Sequence, residues 1–272
     1  MTKPPPNPRP DRSPRRVPFE RPTLRVMPTT LWEYPSMHYN PGGVRGRPSA
    51  MQGDKAYAGA TPSWVIWQLL MRYTREGDVV VDPMCGSGTT IDVCTDLKRA
   101  PVGLDLAPSR PDIRQGDARK ILLDKESADF VFIDPPYSTH IEYSDDPKCI
   151  GKLDASDPAS GYYAAMERVF AEIHRILKPR RYMGLYVSDS FRKRASGAGD
   201  RSEKNTKAEG GAVFMPIGFE LFARLRQHFK PVDIISVVRH NQKLDRGNWR
   251  KAAEEGNFFL RGFNYLFIMK KE

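Results

Sequence analysis

The chain has 272 residues, 39% of them hydrophobic and 10% aromatic, enough for one α/β domain with a full core plus accessory segments. No apolar run approaches the ~20 residues of a membrane helix. The opening MTKPPPNPRPDRSPRR lacks the apolar stretch of a secretion signal, so a cytoplasmic location is expected. The net charge of +10 is unevenly placed: residues 1–50 carry nine Lys/Arg against three acids, 51–190 seventeen against twenty-one, and 191–251 fourteen against six. Two basic flanks around a slightly acidic middle suit a catalytic core whose edges follow a phosphate backbone. The competing reading is solvated charge on loops.

In chain order, residues 1–28 are Pro- and Arg-rich and read as a disordered basic tail, with 29–272 as one domain. Residues 31–60 mix Trp32, Tyr34, Tyr39 and Tyr57 with Gly and Pro, an irregular lead-in. Pro62 to Tyr73 reads as a helix with Thr61 as its cap and Pro62 in the first turn. Asp78 to Asp82 is a short apolar run of the buried parallel-strand type, followed by a helix from Thr89 to Lys98. Further strands are expected at 102–105, near Ile113, at 129–133 and at 182–187. Met166, Phe170, Ile173 and Leu177 recur at helical spacing between the last two. A Gly/Lys/Ser-rich loop (195–211), a helix (218–229) and strands at 233–239 and 263–269 complete the chain. Strands alternating with helices argue for a doubly wound, mostly parallel sheet. Cys85, Cys94 and Cys149 match neither a disulfide framework nor a zinc pattern, and no metal site is expected.

The segment Val80-Val81-Asp82-Pro83-Met84-Cys85-Gly86-Ser87-Gly88-Thr89-Thr90 is a strand, a glycine turn and a helix start. Gly86 and Gly88 let the backbone approach a ligand at the carboxyl end of the first strand. No Lys follows the glycines, which disfavours a P-loop, and the missing third glycine disfavours a dinucleotide fold. Asp105, followed by Leu106, ends the second strand, where a carboxylate can accept two ribose hydroxyls. Asp117, followed by Ala118, comes after the third strand and can accept from an adenine amine. Either acid alone could merely cap a turn; two at strand ends after a glycine turn point to a ligand.

Asp134-Pro135-Pro136-Tyr137 follows the fourth strand directly. An exocyclic base amine is a poor nucleophile because its lone pair is delocalised into the ring. Acceptors around its hydrogens would draw the nitrogen toward tetrahedral geometry and free that pair. The Asp134 carboxylate and the Pro135 carbonyl can supply them, and neither Pro135 nor Pro136 presents an N–H donor against the amine. Tyr137 offers a face on which an extruded base can stack. Methyl transfer from a sulfonium then needs in-line placement and loss of one proton, with no covalent intermediate.

These two motifs resemble those of the DNA amino-methyltransferases, the N6-adenine and N4-cytosine enzymes. Thr30 to Pro35 is similar to their lead-in, and Thr61-Pro62-Ser63-Trp64 to the helix start that contacts the cofactor's methionine part. His140-Ile141-Glu142-Tyr143-Ser144, Leu177-Lys178-Pro179 and Arg239-His240-Asn241 also resemble that group. Arg180 and Arg181 stand where relatives usually carry glycines, and no large recognition domain separates the cofactor and catalytic motifs. The resemblance implies a Rossmann-like seven-stranded methyltransferase fold with an antiparallel last strand. It implies S-adenosyl-L-methionine as cofactor, bound by Thr61, Pro62, Ser63, Asp82, Pro83, Cys85 to Thr90, Asp105, Leu106, Asp117 and Ala118. Double-stranded DNA is the expected partner, with RNA behind it, contacted by Tyr143, Arg192, Lys193, Arg194, Arg239, His240, Asn241, Lys243, Arg246 and Arg250. A cognate restriction endonuclease fits the same setting, and the chain is compatible with a monomer or a homodimer. Adenine N6 is the first expected target and cytosine N4 the second. An RNA amino-methyltransferase and a non-catalytic DNA-binding subunit are the remaining alternatives.

Overall fold

The computed structural model describes residues 22–40, 51–54, 57, 59–192, 213–240, 244 and 246–272. Ten strands occur in chain order: β1 (Leu31–Trp32), β2 (Val79–Asp82), β3 (Ala100–Asp105), β4 (Arg114–Gln115), β5 (Ala128–Ile133), β6 (Leu177–Val187), β7 (Ser190–Arg192), β8 (Val213–Met215), β9 (Lys230–Val238) and β10 (Phe263–Lys270). Among the described residues five helices have defined bounds: α1 (Ser63–Tyr73), α2 (Thr89–Asp96), α3 (Gly161–Ile176), α4 (Ile217–His228) and α5 (Gly247–Gly256). One sheet of eight strands runs β1-β9-β10-β6-β5-β2-β3-β4, and β7 and β8 form a separate antiparallel ribbon. All neighbours in the large sheet are parallel except β10, which is antiparallel to both β6 and β9.

The doubly wound sheet with its antiparallel last strand is therefore as the sequence predicts, with one strand more than seven. The eighth is β1, two residues paired in parallel with Ser236 and Val237 of β9. Two residues are too few for any periodic signal. Trp32 anchors the strand by burial, its indole N–H donating to the Thr29 carbonyl at 2.8 Å.

β5 lies at the centre, and all six of its residues are buried, as a strand covered on both faces requires. On one face α3 and α4 bury Met166, Phe170, Ile173, Leu221 and Leu225. On the other, α1 and the lead-in bury Trp32, Tyr34, Trp64, Ile66 and Leu70. Residues 22–27 lie along α1, where the Gln68 amide donates to the Arg25 carbonyl at 2.6 Å and accepts from the Met27 N–H at 3.0 Å. Residues 1–21 of the expected tail fall outside the described residues.

Chain order across the sheet reverses between β2 and β5. Successive strands β2, β3 and β4 run outward one way, and β5, on the other side of β2, begins the opposite run. At such a switch point the two crossovers splay apart and leave a crevice beyond the carboxyl ends of the strands. Among the described residues, no helix is long and apolar enough to cross a membrane.

Candidate active site

A cleft of about 960 Å³, counted with the solvent space at its mouth, opens at that switch point. The turn after β2 forms its floor. Gly86 (φ +50°) and Gly88 (φ +78°) hold the left-handed conformation that glycine alone adopts without strain. A Cβ on Gly88 would also stand 2.5 Å from the Arg110 guanidinium. Arg110 is fixed there by paired contacts of 2.8 Å to Asp92 in the first turn of α2. Asp82 closes the turn from below, accepting from the Thr90 hydroxyl at 2.5 Å and the Met84 N–H at 3.1 Å. Burial pushes its carboxyl up to about 7 against those two hydrogen bonds.

Asp105 ends β3 on the cleft wall and accepts from the Gly86 N–H and the Ala107 N–H, both at 2.9 Å. It thus couples the glycine turn to the next strand while keeping lone pairs for a ligand. Asp117 is gripped by Arg119 through contacts of 2.9 and 2.7 Å, which hold its carboxyl below the usual range. Arg119 in turn donates to the Lys148 carbonyl at 2.8 Å, tying that wall to the segment after the catalytic motif.

Asp134 sits where β5 ends, in the same cleft. Its Oδ2 accepts from the Thr61 hydroxyl at 2.5 Å and its Oδ1 from the Tyr137 hydroxyl at 2.8 Å. Burial pushes this carboxyl up to about 7, opposed by both hydroxyls. Thr61 is therefore not the cap of α1, a position taken by Pro62 without a side-chain bond. A hydroxyl cannot serve the helix end while it is spent on a carboxylate. Tyr137 is half-buried against the core rather than a free platform. The Pro136 carbonyl accepts from the Tyr162 hydroxyl at 2.8 Å and the Ser138 N–H at 3.0 Å. The Pro135 carbonyl accepts no hydrogen bond among the described residues.

Fifteen of the residues expected from the sequence line this one cleft: Thr61, Asp82, Pro83, Cys85, Gly86, Ser87, Thr89, Thr90, Asp105, Leu106, Asp117, Ala118, Asp134, Pro136 and Tyr143. Pro62, Ser63, Gly88, Pro135 and Tyr137 adjoin these lining residues in the chain. The cleft also takes in Tyr57, Lys148 and Cys149, which no local motif marks. Tyr57 stacks on Tyr143, with centroids 6.2 Å apart and planes 28° apart, so the lead-in and the segment after the motif meet over the cleft. Of the expected nucleic-acid contacts, Arg239 follows β9 at the same sheet edge and is close enough to favour the charged form of Asp134. His240 pairs with Glu33 at 3.1 Å, and Arg246 and Arg250 are exposed at and on α5. Arg192 ends β7, while Lys193, Arg194, Asn241 and Lys243 lie outside the described residues.

The family model described as DNA methylase, of the N6/N4 type, matches residues 6–115 and 128–272. The chain belongs to that family. Among curated proteins, a type II methyltransferase, M.HpaI of Haemophilus parainfluenzae, is 29% identical over 79 residues, covering 29% of this chain and 22% of that protein. M.Cfr9I of Citrobacter freundii, also a type II methyltransferase, is 36% identical over 87 residues, covering 30% and 29%. The chain thus spans less than a third of the length of these curated relatives. Solved structures similar in outline include an SAM-dependent methyltransferase from Methanosarcina mazei (TM-score 0.43, 15% identity, 75% and 96% covered). Another is a geranyl diphosphate C-methyltransferase from Streptomyces coelicolor (TM-score 0.45, 13% identity, 78% and 76% covered).

Proposed function

We propose that this DNA methylase family member transfers a methyl group from S-adenosyl-L-methionine to the exocyclic amine of an extruded DNA base, adenine N6 first and cytosine N4 second. The observation that carries the reading is a single one. A half-buried carboxylate, Asp134, lines one cleft together with the glycine turn and the strand-end carboxylate Asp105.

The residues fit the cofactor. Gly86 and Gly88 leave the turn open to close approach, Asp105 can accept the ribose hydroxyls, and Asp117 stays ionised to accept from an adenine amine. The bound cofactor supplies an electrophilic methyl carbon on a sulfonium. The chain's own work is to place the amine in line and take its proton. Asp134 accepts one N–H of the base, and the Pro135 carbonyl, spared the bonds that occupy Pro136, accepts the other. As the N–C bond forms at the expense of the methyl–sulfur bond, which leaves a neutral thioether, the amine proton leaves toward Asp134, whose raised pKa matches a proton acceptor working near neutral pH. The Tyr57–Tyr143 pair roofs the space between cofactor and base. Adenine is placed first because the motif opens with Asp rather than the Ser common among the cytosine enzymes it resembles. The type II relatives suggest a cognate endonuclease as partner.

The test is direct. The protein is incubated with isotopically labelled cofactor and unmethylated DNA, the DNA is digested to nucleosides, and the products are weighed by mass spectrometry. N6-methyl-2′-deoxyadenosine supports the reading in full, N4-methyl-2′-deoxycytidine supports its second form, and label in neither nucleoside contradicts it.

A further inference from the structure

The ribbon β7–β8 leaves the carboxyl end of β6, and β7 packs against the short 3₁₀ turn Ser138–His140 that follows the catalytic motif. It carries two phenylalanines that a soluble protein would ordinarily cover. Phe191 is 39% and Phe214 45% exposed, their centroids 5.3 Å apart. Arg261, from the connection between β9 and β10, lays its guanidinium over both rings, 4.9 Å from Phe191 and 4.7 Å from Phe214. Its Nε is buried without a partner, and among the described residues Arg261 makes neither an ion pair nor a hydrogen bond. The rings hold the guanidinium in place, and with no described carboxylate paired to it, this half-buried cation keeps its donors for an anionic ligand that also packs on the rings.

We infer that Phe191, Phe214 and Arg261 form a contact that holds the duplex open beside the target base. The rings pack on the base step left unstacked when the target leaves the helix, and Arg261 pairs with the flanking phosphate. This rests on the DNA-methylating reading above. Charge selects the occupant: 191–251 carries fourteen Lys/Arg against six acids, so a polyanion with stackable faces matches it. A second copy of the chain would set Arg261 against Arg261. Position selects the role, because the ribbon touches the turn that issues from Asp134-Pro135-Pro136-Tyr137, whereas a remote anchoring patch need not.

The test uses the full chain and two duplexes, one with the target base paired and one with it opposite an abasic site, where no opening is needed. Phe191→Leu/Phe214→Leu keeps apolar volume and removes the flat faces; Phe191→Tyr/Phe214→Tyr restores them. The Leu pair is expected to slow single-turnover methylation of the paired duplex on the order of ten- to a hundredfold. The duplex with the abasic site should lose less than about threefold, and the Tyr pair should recover the paired rate. Arg261→Met should reduce the salt slope of DNA binding by about 0.9. Equal losses on both duplexes, or none, would overturn the inference. So would a parent dimer that the Leu pair dissociates in sedimentation, since the patch would then join two copies. If the parent protein methylates neither duplex, the functional reading itself fails, an outcome distinct from a parent active on both.

Discussion

Asp134 has two protein donors before any substrate arrives, Thr61 on one oxygen and Tyr137 on the other. Both bonds favour the charged form, and burial opposes them strongly enough to leave the carboxyl at about 7. The sign of the pH dependence follows. As a proton acceptor Asp134 works only when ionised, so the single-turnover rate should rise with pH, about tenfold per unit below 7, and level off above it. Thr61→Val or Tyr137→Phe each deletes a donor to the charged form, so each should move that midpoint upward. A pH–rate profile checks this, and a midpoint that moves down or stays fixed contradicts it. Stability runs the other way. A folded-state pKa raised above the ordinary 3.8 means that Asp134 and Asp82 contribute stability at pH below about 4, lost as pH rises through 7. The active form is therefore the less stable one. On the cofactor side, Asp105→Ala should weaken S-adenosyl-L-methionine binding roughly ten- to a hundredfold, the worth of charge-assisted hydrogen bonds. Calorimetry on a variant that melts as a folded protein reads this, and unchanged affinity would remove Asp105 from the site.

At the scale of elements, the turn inside β6 records a local conflict. Arg180 has a φ of +65°, the left-handed region that costs a side-chain-bearing residue roughly 1–2 kcal/mol. The turn keeps the shape because the Arg180 N–H donates to the Lys271 carbonyl at 2.9 Å, and its neighbour Arg181 pairs with Asp129 at 3.0 Å. Arg180→Gly should relieve the strain, offset in part by the freer unfolded chain, and raise the melting temperature by about 1–4 °C. Calorimetric melting decides it, and a lower melting temperature would show that the Arg180 side chain stabilises more than its backbone costs. The same contrast explains what could be read from residue order. β2, β5 and α3 were clear because their burial is continuous or strictly periodic. β7, β8 and α5 were not: the ribbon strands are three residues each, and α5 buries none of its residues, so no apolar face marks it. Gly86, Asp105 and Asp134 could be found from local motifs, whereas Tyr57 and Lys148 reach the cleft through pairings across the fold that no local pattern encodes.

Over the whole molecule, the strand ends that carry Asp134, the ribbon and Arg239 gather at one edge. β5, β6 and β9 all end there, and β10, running antiparallel, begins there. Asp134, the start of the ribbon and Arg239 consequently emerge side by side from the carboxyl edge of the sheet. The claim on which all of this depends is that Asp134 faces the base while Asp105 faces the cofactor. Asp134→Ala, measured by single-turnover methyl transfer with enzyme in excess alongside calorimetric cofactor binding, separates the two most directly. The account predicts a rate loss on the order of 10²–10⁴ with cofactor affinity nearly unchanged, whereas transfer at the parent rate would contradict it.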